Sequence, residues 1–268
     1  MFDDGTDQIL FDTHLTRPSL LKYIFGSEST DTAVVDEKLK LHHVDRLKTI
    51  FISHTHHDHV MDMPYIARKS GCTVHGSSSA LNVARGGDIP EEKLIEFEPG
   101  RKYEVGNYRI TVIPSLHSKP MFFNNDLGET INTPLRQPAR LRSYKEGGSY
   151  DFFIEAQGKS FMIRPSFNYI EGQMDGYHAD VLFLGVAGLQ KASPEIEVVF
   201  YRETIDKLSP RLVIPIHWDN FFSPLTKPVC GMPRLIEKTE VVFFKLGQYC
   251  ETKGVDMLVQ IPGTSVEV

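Results

Sequence analysis

Four histidines and one aspartate crowd into the run His54-Thr-His56-His57-Asp58-His59, directly after the apolar stretch Thr49-Ile-Phe-Ile-Ser53. Neutral imidazole nitrogen and ionised carboxylate oxygen are the donors that zinc, manganese and iron accept. Bringing several imidazoles together away from water is costly unless something accepts their lone pairs, so the cluster reads as a metal site rather than as ordinary core. Alternate residues of an extended segment point the same way, so His54 and His56 can share one metal. Once the chain turns into a helix at Asp58, that residue and His59 can face a second metal, while parity sends His57 elsewhere, into a structural role or one supporting the ligands from behind. His14, His42, His43, His75 and His178 are isolated and read as core or surface histidines.

Such donors need rigid supports. Short β-type runs occur at 8–11, 49–53, 73–75, 108–114, 150–155, 160–163, 181–184, 212–216, 241–244 and 257–261. Helical candidates lie at 19–25, 58–69, 78–85 and 193–208, the last opened by Ser193-Pro194-Glu195, which supplies an N-cap, a first-turn proline and an early acid. Val105-Gly106-Asn107 and Ala156-Gln157-Gly158-Lys159 carry turn chemistry between extended runs and predict two β-hairpins. The pattern is mixed α/β with antiparallel pairs.

The chain has 268 residues, enough to bury a large core, and a single domain over 1–268 is the expectation. Its net charge of -6 lacks the basic excess of a nucleic-acid binder. Cys72, Cys230 and Cys250 are too scattered for a disulfide framework or a metal knuckle, which suggests a reducing compartment. No run reaches the ~20 apolar residues that cross a bilayer, and the acidic start is unlike a secretory signal. The expectation is a cytoplasmic protein acting on a small molecule, with no nucleic-acid or membrane partner and with room for a homo-oligomer.

His54, His56, Asp58 and His59 match the HxHxDH signature, and the chain thereby resembles the metallo-β-lactamase superfamily. Ile113-Pro-Ser-Leu-His117 looks like its next ligand segment and Val213-Ile-Pro-Ile-His217 like its last. The resemblance implies a four-layer αββα sandwich with a first metal on His54, His56 and His117 and a second on Asp58, His59 and His217. Asp12, ending Ile9-Leu-Phe-Asp12, resembles the early aspartate that supports the site from behind. The runs Glu146-Gly-Gly-Ser-Tyr-Asp-Phe-Phe-Ile-Glu155, Ala179-Asp-Val-Leu-Phe-Leu-Gly185 and Pro215-Ile-His-Trp-Asp-Asn-Phe221 are similar to a bacterial group known only as predicted metal-dependent hydrolases.

Two departures stand out. Many relatives add a bridging aspartate after a strand in the second half, and the corresponding Phe161-Met-Ile-Arg-Pro-Ser-Phe-Asn168 has none; Ser166 or Asn168 would replace it weakly, or hydroxide alone would bridge. Relatives also carry one or two strands before the segment resembling Ile9 to Asp12. The sheet is therefore expected to lack its N-terminal strand, or the sequence to be a truncated form of a longer protein.

The implied chemistry is hydrolysis of an ester, lactone, amide or phosphodiester by water activated on one or two zinc ions, with manganese or iron as alternatives and Asp58 as both ligand and catalytic group. An iron-dependent redox enzyme and a non-catalytic metal-binding protein are the competing classes. Ser53 and Ser115 have no activating base by spacing and read as packing or capping residues. The long loop 118–148 reads either as a lid, bringing Phe122, Phe123, Asn124, Arg136, Arg140, Arg142 and Lys145 over an anionic ligand, or as a surface excursion. Trp218 and Phe221, just after His217, form a candidate substrate wall, although an aromatic cluster beside a metal ligand is more often core packing.

Overall fold

The computed structural model describes residues 1–119 and 125–268, so Phe122, Phe123 and Asn124 lie outside the described residues. Strands β1 (Phe2–Asp3) and β2 (Gln8–Phe11) come first, then helix α1 (Leu20–Phe25), β3 (Ser27–Glu28), α2 (Thr32–Leu41) and β4 (Leu47–Phe51). The histidine cluster opens α3 (His57–Val60), followed by α4 (Met63–Ser70), β5 (Thr73–Gly76), α5 (Ser78–Gly86) and β6 (Leu94–Glu96). The second half contains β7 (Lys102–Val105), β8 (Tyr108–Ser115), β9 (Ala139–Arg140), β10 (Ser149–Ala156), β11 (Lys159–Arg164) and β12 (Val181–Gly185). Helix α6 (Pro194–Tyr201), β13 (Leu212–Ile216), α7 (Thr239–Lys253) and β14 (Asp256–Met257) complete it.

One sheet has the order β1-β2-β4-β5-β6 and the other β14-β13-β12-β11-β10-β8-β7, with β3 and β9 forming a separate small pair. Side-chain alternation decides the layering. In β4, Ile50 faces a core shared with Val35, Leu39, Ile66 and Leu81 of the helices, whereas Phe51 faces the opposite sheet. Between the sheets, Ile9, Phe51 and Phe97 meet Ile110, Val112, Phe152, Ile154, Phe161 and Ile163. Met162, Leu182, Leu184 and Val213 point outward onto Phe200, Val242, Leu246 and Cys250. The result is helix, sheet, sheet, helix, each large side chain contributing about 1.5–3 kcal/mol when buried.

Both expected hairpins form, β7 with β8 and β10 with β11. The N-terminal strand expected to be missing is represented by β1, a two-residue edge paired antiparallel to β2. Ser193 caps α6 by accepting from the Ile196 amide, an interaction of about 1 kcal/mol. The expected helix over 58–69 is broken in two, because Pro64 starts α4 afresh rather than continuing α3. The expected helix over 193–208 likewise passes from α6 into a wider π turn at Arg202–Asp206.

The expected strand at 241–244 is instead part of α7. Its Val-Val-Phe-Phe run has β propensity, but the buried Val242, Leu246 and Cys250 are spaced one helical turn apart, and tertiary packing follows that period. The strand expected over 257–261 shortens to β14, and α2, capped by Asp31, had no counterpart among the expected helices. Among the described residues no helix is long and apolar enough to cross a membrane.

Candidate metal centre

Four strands deliver the site residues from their C-terminal ends. Because β8 and β11 both run antiparallel to β10, and β11, β12 and β13 are parallel, β8 and β13 end on the same rim of their sheet. His117 follows β8 and His217 follows β13; across the sandwich, Asp12 follows β2 and the histidine motif follows β4. Asp12 and His217 both adopt left-handed backbone, at φ 55° and 59°, and such residues turn the chain abruptly at a strand end.

The donors gather in two groups, His54 with His56 and His117, and Asp58 with His59 and His217, each with one donor atom per residue within 4.8 Å of the others. The groups adjoin: the rings of His54 and His59 are 3.8 Å apart between centroids. In the second group Asp58 Oδ2 accepts from His217 Nε2 at 3.2 Å and lies 3.7 Å from His59 Nε2. His57 points away, its ring packed against Tyr23 and His14.

A ligating imidazole uses one nitrogen for the metal and needs a partner for the other. His59 Nδ1 donates to Asp12 Oδ2 at 2.7 Å. His54 Nδ1 lies 3.1 Å from Ser53 Oγ, which in turn donates to Asp12 Oδ2 at 2.7 Å, while the Ser53 amide donates to Asp12 Oδ1. One carboxylate thus orients two histidines, one directly and one through a hydroxyl. His117 Nδ1 donates to the Ser118 carbonyl at 2.8 Å, and His56 Nε2 lies 3.1 Å from Asp126 Oδ1. His54 Nε2 is buried with no hydrogen-bond partner, an orphaned acceptor facing its neighbours' donors. That orphan and the all-nitrogen-and-oxygen donor set fit a divalent metal ion.

Protonation agrees with this fit. Burial, reinforced by the neighbouring histidines, pushes His54 well below its usual pKa, and burial with the adjacent His56 lowers His117 to about 4. Burial opposes the charge on Asp58, but His59 and His217 outweigh it and hold the carboxyl well below its usual range. Burial likewise opposes a charge on His217, yet the bond to Asp58 raises its pKa. His54 and His117 are therefore neutral imidazoles, while Asp58 and His217 form an ion pair.

Trp218 is buried, its ring edge-on to Phe243 of α7 at 5.4 Å, which accords with the core-packing alternative. Arg140 is exposed on β9, paired with Ser27 across the small sheet, and Arg136 is engaged with Asp88. Phe221 does stay beside the cluster, 5.4 Å from the His217 ring. Ser166 is buried, and Asn168 donates to the His117 carbonyl at 2.7 Å, so Asn168 steadies the backbone of that segment. Behind it, Arg164 and Asp151 form a fully buried pair at 2.8 Å. Ser53, read as packing, is the hydroxyl linking Asp12 to His54. His14, read as a core or surface histidine, has its ring 6.4 Å from that of Phe221.

Asp126 was missed because it sits in an aperiodic loop with no motif around it. Its surroundings are densely tied down: Ile131 donates to Ser79 Oγ, Leu135 to the Asn82 carbonyl, and Gln137 to the Met61 carbonyl. Gly147 has φ 70°, and a Cβ there would sit 2.3 Å from Thr55 Oγ1, so only glycine lets the loop approach the motif this closely. The described part of the loop is a bonded wall of the site.

Known proteins place this geometry. The chain is 29% identical over 119 residues to a UPF0173 metal-dependent hydrolase of Chloroflexus aurantiacus, a match covering 44% of this chain and 48% of that protein. The chain thus spans about half the length of that curated relative. Among solved structures it is similar to Igni18, a metallo hydrolase of Ignicoccus hospitalis, at TM-score 0.53 and 18% identity over 82% of this chain and 78% of that one. It is also similar to zinc-bound PqqB of Methylobacterium extorquens, at TM-score 0.51 and 12% identity over 97% and 84%, and to CmlA, a diiron β-hydroxylase of Streptomyces venezuelae, at TM-score 0.53 and 13% identity over 81% and 44%. These likenesses show the metallo-β-lactamase fold, and since the model of the beta-lactamase superfamily domain matches residues 8–218, the chain belongs to that superfamily.

Proposed function

We propose that the protein is a metal-dependent hydrolase of a small ester, lactone, amide or phosphodiester, holding one ion on His54, His56 and His117 and a second on Asp58, His59 and His217. The observation that carries this reading is the pair of adjoining donor groups, one of three histidines and one containing a carboxylate, with His54 Nε2 buried and unpartnered. Zinc or a similar ion bound there lowers the pKa of water from 15.7 towards ~7 and polarises the bond under attack.

The chain's own residues supply the rest. Asp58, kept ionised by His59 and His217, accepts a proton-bearing group and orients it between the two donor sets. Asp12 and Ser53 lock two imidazoles in the tautomer that leaves Nε2 for the ion. Phe221 and the partly buried Phe222 give one side of the mouth an apolar surface that limits water. Ser53 serves as a relay to Asp12 and is no nucleophile. Ser166 offers a hydroxyl and no carboxylate, so any oxygen shared by two bound ions would have to come from solvent.

The similarity to a diiron hydroxylase supports a second reading, since the same donors tolerate iron. Metal quantification of the native protein, paired with a panel of ester, lactone, amide and phosphodiester substrates, separates them. Zinc or manganese with turnover on one substrate class is the expected result. Redox-active iron without hydrolysis favours the second reading, and metal that raises stability without any turnover overturns both.

A further inference from the structure

We infer that Asp126 is a positioning residue of the three-histidine group, and that the loop carrying it is thereby part of the metal-binding apparatus; this rests on the metal reading above. Asp126 is buried, and its Oδ1 lies 3.1 Å from His56 Nε2. It is not itself in the group of clustered donor atoms. A carboxylate on one imidazole nitrogen fixes a proton there, makes the opposite nitrogen the ligand, and raises its basicity. His54 and His59 draw this support from Asp12 and Ser53, and His117 from the adjacent backbone. For His56 a carboxylate partner comes from a segment 70 residues downstream.

A closed circuit of bonds holds Asp126 at that distance. The Gly128 amide donates to Glu146 Oε2 at 2.7 Å, and the Glu146 carbonyl accepts from the Thr55 amide at 2.8 Å, next to His56. The Glu129 amide donates to the Asp126 carbonyl, and the Gly147 amide to the Glu129 carbonyl, each at 2.9 Å. Asp126 Oδ2 is buried without a hydrogen-bond partner. A carboxylate buried with one oxygen unpaired is a poor way to stabilise a loop, and its position is better explained by the histidine it orients.

The test is zinc binding by the full chain in metal-buffered solution, comparing the native protein with Asp126→Ala, Asp126→Asn and the exposed-loop control Leu127→Ala. In Asp126→Ala one zinc dissociation constant rises about 10–100-fold while the other and the control constants stay within about threefold, the scatter expected of context. Asp126→Asn, which keeps an acceptor oxygen, recovers part of the loss, and the visible bands of the cobalt-substituted protein shift in Asp126→Ala alone. Unchanged constants in Asp126→Ala overturn the inference even if its melting temperature falls, because a purely structural role predicts that pattern. A native chain that binds no zinc, manganese or iron overturns the metal reading itself, a distinguishable result.

Discussion

The two donor groups differ in what they do with no ion present. Each of His54, His56 and His117 has one ring nitrogen held by a side chain or the backbone, so the set is preorganised. Asp58, His59 and His217 satisfy one another, with the carboxylate 3.2 Å from His217 Nε2. An ion entering the first group displaces no protein bond to Asp58, whereas one entering the second must take Asp58 from His217. Preorganisation lowers the cost of binding, so the first position is expected to be the tighter one. Proximity alone does not rank two sites; what the donors hold beforehand does.

The strongest test of that contrast removes a donor from the preorganised group. His117→Ala is expected to lower turnover roughly a hundredfold or more and to cut metal content with it, while exposed His178→Ala leaves both at native levels; metal analysis and steady-state kinetics check this. Retained metal with full turnover in His117→Ala would break the comparison at its root. Next in size, Asp12→Ala is expected to weaken both positions about 10–100-fold, because its carboxylate serves His59 directly and His54 through Ser53. Ser53→Ala should weaken only the first position, by roughly tenfold or less. Equal losses at both positions in Ser53→Ala would show that the hydroxyl does not discriminate between the groups.

The smallest effect serves as a control. His75 is stacked on Phe51, outside both groups, and burial lowers its pKa to about 4. The unfolded chain therefore binds a proton that the folded one refuses between pH 6.5 and 4. Folding stability falls as the pH drops through that window, by an amount on the order of 2–3 kcal/mol at its lower end. Denaturant midpoints of His75→Phe should vary less with pH over this range than those of the native chain. Metal loss at low pH can then be separated from the fold's own response to acid.

The residues that gather in the two groups were legible in the sequence because each ends or follows a strand with a readable apolar pattern: Ile113 to His117 and Val213 to His217 as much as the motif itself. Asp12 was legible for the same reason. Residues recruited by loops were not. Asp126 reaches His56 through turns and carbonyl bonds that leave no periodic trace, and Arg140 has the right chemistry in a segment whose path no pattern fixes. Trp218 follows a donor in sequence, yet packing against Phe243 turns it into the core. The helix α7 was hidden by β-branched and aromatic residues whose preference is weaker than the burial of Val242, Leu246 and Cys250.

The left-handed backbone at Asp12 and His217 also restricts which donors this scaffold can trade. Side chains other than Gly, Asn, Asp and His pay about 1–2 kcal/mol in that conformation. Exchanging His217 for cysteine or Asp12 for glutamate would therefore cost folding energy before any metal is met. At these two corners the main chain itself filters the vocabulary of ligands, and a change of metal preference is easier to reach through His117 or the residues of α3.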